Sequence, residues 1–180
     1  MILVFLAQGF EEMEAISVVD ILRRADLDVR TVSITDQNTV YGSHNIPVIA
    51  DMLFNEIDIK ATDALILPGG MPGTENLKMH EGLKMLLMTF LKDENKTVAA
   101  ICAAPTILGE LGLLKGRKVT CYPGCEESLY DAKISRRPAI RDRNLITGDG
   151  PGHAQQFALK VLEYLGNAIV AADITKQLNM

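Results

Sequence analysis

The sequence lacks the features on which nucleic-acid and membrane proteins depend. Aromatic residues make up only 5% of the 180 residues, no run of lysine or arginine occurs, and the formal net charge is −5. An acidic chain with few rings to stack on bases is not expected to bind nucleic acid. No apolar run approaches the roughly 20 residues that a membrane-spanning helix needs, so no membrane association is expected.

Cysteine is scarce, and no export segment is evident. The three cysteines are an odd number and do not predict a disulfide framework: Cys102, Cys121 and Cys125. The apolar start, residues 1–7, is short, has no basic region before it and is followed by acidic residues. It predicts a first strand rather than a signal peptide. We therefore expect a cytoplasmic protein whose thiols stay reduced.

What the sequence does contain is an alternation of short apolar runs with segments of helical periodicity. Hydrophobic residues make up 48% of the chain, enough for a full core, and no repeat or linker interrupts it, so 1–180 is expected to be a single domain. Strands are predicted at 2–6, 29–34, 64–67, 97–101 and 118–121, hairpins at 39–50 and 139–147, and helices at 11–25, 77–92, 105–111, 153–165 and 167–178. This order predicts a doubly wound α/β fold, a mostly parallel sheet with helices on both faces.

The segment 97–109 is the most informative stretch of the chain. An apolar strand leads into Cys102, Ala-Ala-Pro follows, and an apolar run with helical spacing comes next. Strand, abrupt turn and helix form the geometry of a nucleophile elbow. A helix N-terminus beside Cys102 would favour the thiolate over the thiol. The alternative is that Cys102 is a small hydrophobic core residue.

Two further groups could complete a site with Cys102. Gly69 and Gly70 follow a predicted strand, and their N–H groups with that of Ala103 would form an oxyanion hole; the alternative is a plain turn. Glu14 either lies on a solvated helix face, which the residues alone favour, or points at Cys102. In the second case the compatible state is a protonated Glu14 that donates a hydrogen bond to the thiolate, with coupled titrations.

Four unusual turns are predicted at the carboxyl ends of strands, at 9–10, 69–70, 102–103 and 122–123. In a doubly wound sheet these ends face one crevice, so the turns are expected to converge.

Glu11 and Glu12 are expected to be solvated in the first helical turn. Cys121 and Cys125, with no second pair, are a weak zinc signal, and no metal or cofactor is expected. His153 is either a base or ligand contact, or a solvated histidine.

Four motifs, at 6–15, 67–70, 99–105 and 150–152, together resemble the ThiJ/PfpI superfamily, and within it the branch of DJ-one and YajL. The resemblance implies a flavodoxin-like sandwich and a homodimer built partly on the first helix. It also implies roles for individual residues: Cys102 matches the reactive cysteine, Glu14 the protonated glutamate, and Gly69, Gly70 and Ala103 the backbone facing the sulfur. Arg24 matches the family arginine of the first helix.

The chain departs from the family pattern at three positions. Tyr122 stands where many members have a histidine, His44 where they have an arginine, and Asp149 where they have an arginine. A mechanism that needs the missing histidine would require His153 to substitute for it. Tyr122, His153 and Pro151 are therefore the candidate substrate contacts.

The resemblance implies three functions. The first is a cofactor-free, glutathione-independent glyoxalase or deglycase that acts on methylglyoxal, glyoxal or early glycation adducts, with Cys102 as nucleophile and Glu14 as proton shuttle. The second is an oxidative-stress sensor or chaperone that uses oxidation of Cys102 to sulfenic and sulfinic acid. The third and weaker one is a cysteine peptidase or amidase, which would need a histidine beside the sulfur.

Overall fold

The computed structural model describes residues 1–166 and 168–180. The strands of this part of the chain are β1 (Ile2–Leu6), β2 (Val29–Ser33), β3 (Thr39–Tyr41), β4 (Pro47–Ile49), β5 (Met52–Leu53), β6 (Ala64–Leu67), β7 (Thr97–Ile101), β8 (Lys118–Val119), β9 (Lys133–Ile134), β10 (Ala139–Asp142) and β11 (Leu145–Gly148). Its α-helices are α1 (Glu12–Arg24), α2 (Gly73–Met79), α3 (Glu81–Lys92), α4 (Pro105–Glu110), α5 (Ala154–Leu165) and α6 (Ala168–Gln177).

A seven-stranded sheet organises the molecule, in the order β10-β11-β7-β6-β1-β2-β5. All neighbouring pairs are parallel except β10 and β11, which form an antiparallel hairpin at one edge. The central strands β1, β6 and β7 are buried along their whole length, as parallel strands are when helices cover both faces of a sheet. The predicted α/β fold with a mostly parallel sheet is therefore confirmed.

Two hydrophobic layers hold the helices against the sheet. Along β1, Val4 faces the layer formed with α1, α5 and α6, whereas Leu3 and Phe5 face the layer formed with α2, α3 and α4. Successive side chains of a strand point to opposite faces, so one apolar run supplies both cores. No described helix is long and apolar enough to cross a membrane.

The single helix predicted at 77–92 is wrong, because the structure has two helices that meet at His80. The backbone of His80 is extended, with φ −83° and ψ 102°, and its Nδ1 accepts a hydrogen bond from the Leu83 N–H at 3.1 Å. The side chain therefore caps α3 where α2 ends. Such capping by histidine does not interrupt the apolar periodicity on which the prediction rested.

The strand predicted at 118–121 is shorter than expected and does not belong to the main sheet. Only β8, residues Lys118 and Val119, is extended, and it pairs in parallel with β9 in a separate sheet. The next N–H group, that of Thr120, donates to Oγ1 of Thr147 at 2.9 Å instead of continuing a backbone ladder. The chain is thereby drawn to the side of β11, towards Cys102.

The remaining elements lie close to their predicted positions. The hairpins at 39–50 and 139–147 are β3–β4 and β10–β11, both antiparallel. The last helix, α6, covers most of the predicted 167–178, although Asn167 lies outside the described residues.

Candidate active site

Cys102 lies in the turn between β7 and α4, and its backbone is strained. Its φ is +64°, in the left-handed region that cysteine rarely adopts. Its N–H donates to the Gly148 carbonyl at 3.0 Å, and its own carbonyl accepts from the Tyr122 N–H at 2.8 Å. Hydrogen bonds from both sides thus hold the nucleophile elbow that the sequence predicts, with the side chain partly exposed.

Glu14 is fully buried, so the solvated helix face that the residues alone favoured is wrong. Its Oε2 accepts a hydrogen bond from the Gly69 N–H at 2.7 Å. Within the described residues, its other oxygen, Oε1, has no hydrogen-bond partner. The Glu11 N–H donates to the Gly69 carbonyl at 2.9 Å, which ties the start of α1 to the loop after β6. That loop, far away in sequence, is what buries the carboxyl group.

Gly69 brings the backbone between Glu14 and Cys102. A β-carbon at this position would lie 2.6 Å from Cβ and 3.1 Å from Sγ of Cys102, and 3.0 Å from Oε2 of Glu14. Only glycine leaves room for this approach. Its N–H is bonded to Glu14 rather than turned to the sulfur, which corrects the predicted oxyanion hole. The N–H groups that lower the pKa of the Cys102 thiol are those of Gly70 and Ala103.

The acid–base properties of Glu14 and Cys102 are coupled. Burial raises the pKa of Glu14 to about 7, against the hydrogen bonds from Gly69 and the Cys102 thiol. Burial and the charge of an ionised Glu14 raise the pKa of Cys102 to about 12, while the N–H groups of Ala103 and Gly70 act in the opposite direction. Between these values the pair carries one proton. A thiolate therefore forms when that proton moves to Glu14.

Glu12 is also buried, which contradicts the expected solvated first turn. Its carboxylate accepts hydrogen bonds from the His44 N–H at 2.8 Å and the Ser43 hydroxyl at 3.2 Å, and it pairs with Nδ1 of His44 at 2.8 Å. Burial alone would raise the pKa of Glu12, but these hydrogen bonds, led by that of His44, lower it to about 2. The same contact raises the pKa of His44.

Sequence reasoning missed the role of His44 because 32 residues separate it from Glu12. Glu11, Glu12 and His44 also offer ligand atoms within 4.8 Å of one another, a donor set that could hold a metal ion. Those atoms already hydrogen-bond one another and Ser43. We therefore interpret the cluster as a structural hydrogen-bond network that attaches the β3–β4 hairpin to the start of α1.

The candidate substrate contacts are Tyr122, Pro151 and His153. The Tyr122 ring is 48% exposed and lies against Gly150, where a β-carbon would be 3.1 Å from Cδ2 of the ring. Half-buried Pro151 starts the short turn that leads into α5. Nδ1 of His153 lies 2.7 Å from Oδ1 of Asp149. In the described part of the chain His153 makes this pair and no hydrogen bond to Cys102.

The fold and these motifs agree with the sequence comparisons. The DJ-1/PfpI family profile matches residues 1–164. The chain belongs to the DJ-1/PfpI family. Drosophila melanogaster protein dj-1beta is 33% identical over 181 residues, which cover 98% of this chain and 95% of the fly protein. The solved structure of oxidized Toxoplasma gondii DJ-1 is 35% identical and superposes with a TM-score of 0.93, covering 98% of this chain and 96% of that one.

Two other DJ-1 relatives bear on length and activity. Arabidopsis thaliana protein DJ-1 homolog B is 37% identical over 163 residues, which are 90% of this chain but only 37% of the plant protein. The Schizosaccharomyces pombe protein named glutathione-independent glyoxalase DJ-1 is 28% identical over 185 residues, with 98% of this chain and 96% of that protein covered. The chain therefore spans about a third of one relative and nearly all of the other.

Proposed function

We propose that this protein is a glutathione-independent, cofactor-free glyoxalase-type enzyme that acts on α-oxoaldehydes such as methylglyoxal, or on their early glycation adducts. The observation that carries the proposal is the buried Glu14, with one oxygen unpartnered, beside the strained Cys102. A carboxyl group with a pKa near 7 both accepts and donates protons at neutral pH. The fission yeast relative carries a glyoxalase name, which supports the same class of reaction.

The mechanism follows from one proton shared by two groups. Glu14 takes the thiol proton, the Cys102 sulfur adds to the aldehyde carbon, and the N–H groups of Gly70 and Ala103 stabilise the resulting oxyanion. Glu14 returns its proton to that oxygen, which gives a hemithioacetal. Glu14 then removes the hydrogen from the same carbon as a proton, which leaves an enediolate, and returns it to the neighbouring carbon, while the hydroxyl proton of the first carbon passes to the oxygen of the second. The product is a thioester of Cys102, which water hydrolyses to the 2-hydroxy acid and the free thiol.

The test is formation of lactate from purified methylglyoxal without glutathione, with Cys102 confirmed as reduced by mass spectrometry. We expect turnover by the wild type, none by Cys102→Ser, and unchanged turnover by the matched control Cys125→Ser. Absence of turnover in a folded, reduced wild-type protein would refute the enzyme proposal.

A second candidate function, oxidation sensing with or without chaperone activity, is favoured by the same unpartnered oxygen. A protonated Glu14 could donate a hydrogen bond to a Cys102 sulfinate from Oε1. Glutamine also donates at this position but cannot shuttle a proton. Glu14→Gln is therefore expected to keep peroxide-driven sulfinate formation at Cys102 and to lose turnover. Full turnover by Glu14→Gln would remove Glu14 from the catalytic mechanism.

We further propose that the protein is a homodimer that uses α1 and the β3–β4 hairpin. Exposed apolar side chains lie on both elements: Met13 and Ile16 on α1, Ile46 and Ile49 at the hairpin. The bond between Glu12 and His44 keeps the two elements together. Light scattering is expected to give twice the monomer mass, and Ile16→Glu to give the monomer.

A further inference from the structure

A cavity of about 790 Å³ opens beside the elbow. Cys121 on its wall precedes Tyr122, whose N–H donates to the Cys102 carbonyl at 2.8 Å. Asp149 on another wall follows Gly148, whose carbonyl accepts from the Cys102 N–H at 3.0 Å. Cys102 is not part of the lining. Two walls of the cavity are nevertheless one residue away from hydrogen bonds to its backbone, so the cavity lies close to the elbow.

The volume of this cavity is larger than a small ketoaldehyde needs. Ligand sites of roughly 300–1,000 Å³ accommodate molecules of the size of a drug or cofactor. Methylglyoxal reacting at Cys102 would leave the cavity unfilled. The space is therefore available for a further part of a larger substrate.

Among the charged groups of the lining, Arg136 is the one without a partner. Its guanidinium makes no ion pair or hydrogen bond to any described residue. The two carboxylates of the lining are both engaged: Glu126 accepts from the Gly124 N–H at 2.7 Å, and Asp149 pairs with His153 at 2.7 Å. Of the charged groups in the lining, Arg136 is therefore the one whose planar fork is free to bind a carboxylate or a phosphate.

The surroundings strengthen this preference. An adjoining cavity shares Ile134 and Ser135 with the first and is lined by Lys118, Lys133 and Arg137. In the part of the chain that the structure describes, none of these three side chains forms an ion pair. A protein with a net charge of −5 thus places three basic side chains without ion pairs together on this side of the cavity. Such a field attracts anions.

We propose that this cavity is a subsite for the anionic end of the substrate, a carboxylate or phosphate remote from the reacting carbonyl, with Arg136 as the group that binds it. The proposal rests on the proposed function, because it deepens the choice of substrate at Cys102. If Arg136 binds this end, ketoaldehydes that carry a negative charge are better substrates than neutral methylglyoxal.

Turnover tests the proposal with two ketoaldehydes of different charge. The probes are 4,5-dioxopentanoate, which carries a terminal carboxylate, and neutral methylglyoxal. We expect the wild type to have the higher kcat/KM for 4,5-dioxopentanoate, and Arg136→Gln to lower the ratio of the two values about tenfold. The matched control is Arg30→Gln, which removes the same charge from β2 near the opposite edge of the sheet. It should leave the ratio unchanged.

A binding measurement separates failure of the subsite from failure of the enzyme. Levulinate, a ketone with a carboxylate, is expected to slow alkylation of Cys102 by iodoacetamide, whereas 2-pentanone is not, and Arg136→Gln should abolish the protection. If no ketoaldehyde is turned over but this protection holds, the enzyme proposal falls and the anion subsite stands. If turnover occurs but neither the ratio nor the protection depends on Arg136, the subsite proposal is overturned.

Discussion

Glu12 and Glu14 stand two positions apart on α1, and their environments move their pKa values in opposite directions. Both side chains are buried, with 6% and 0% of their residues exposed. Glu12 has a pKa of about 2, and Glu14 has a pKa of about 7. At about 100° per residue they point to opposite sides of the helix, one to the β3–β4 hairpin and the other to the elbow. Both side chains are shielded from solvent, but Glu14 lies much deeper in the protein, and burial is the largest cause of its raised pKa.

Depth of burial and the number of hydrogen-bond donors together explain the difference in pKa. Glu12 accepts from Ser43 and from both the backbone and the ring of His44. Glu14 accepts from the Gly69 N–H and from the Cys102 thiol, and its Oε1 has no partner among the described residues. A carboxylate with enough donors keeps its charge even when it is buried, whereas one with too few takes up a proton. The first arrangement stabilises the fold, and the second supplies a group suited to acid–base chemistry.

The largest difference is expected in turnover. Glu14→Gln should lower kcat with methylglyoxal about a thousandfold, because glutamine cannot transfer a proton between carbons. Glu12→Gln is the matched control on the same helix and should retain most of the activity under conditions where it is folded. Equal losses in both variants would mean that the two carboxyl groups do not differ in function.

The next largest effect is the change in the free energy of unfolding with pH that Glu14 causes. Folding raises the pKa of Glu14 from 4.5 to about 7, so the native state binds more protons between these values and stability falls as pH rises through this window. The loss amounts to roughly 3 kcal/mol. Urea unfolding from pH 4.5 to pH 7.5 should show this slope in the wild type and a flatter one in Glu14→Gln. Parallel slopes would contradict the raised pKa.

A smaller effect of opposite sign is expected at Glu12. Its pKa is lower in the folded state, so its contribution is present above pH 4.5 and is lost as pH falls towards 2. Glu12→Gln should destabilise the protein by about 1–3 kcal/mol at neutral pH, because a buried network loses its charged acceptor. Urea unfolding at pH 7 measures this change. The variant should also show less loss of stability between pH 4.5 and pH 2.5 than the wild type.

The smallest effect is expected for His44→Asn. The variant keeps the backbone N–H that bonds Glu12 but removes the ring contact, so the pKa of Glu12 should rise only part of the way to its usual range. The midpoint of acid unfolding should move to higher pH by less than in Glu12→Gln. A shift as large as that of Glu12→Gln would show that the ring supplies most of the stabilisation.

The elbow could be predicted because it is local. Strand, cysteine, turn and helix follow one another within 97–109, and the packing of small residues there requires no knowledge of distant segments. The burial of Glu14 could not be read in this way, since the contact that buries it joins positions 55 residues apart. The burial of Glu12 and the early end of β8 also depend on contacts between distant positions, Glu12 with His44 and Thr120 with Thr147, so the sequence did not predict them. The single-domain organisation and the cytoplasmic location stay predictions.

The strained backbone of Cys102 has a consequence for the lifetime of the protein. A residue other than glycine in the left-handed region costs about 1 kcal/mol, whether or not substrate is present. Replacing Cys102 with glycine would remove both the thiol and this strain, so the variant is expected to unfold at a slightly higher temperature than the wild type. Under the proposed function, this position gives up some heat stability in exchange for a nucleophile.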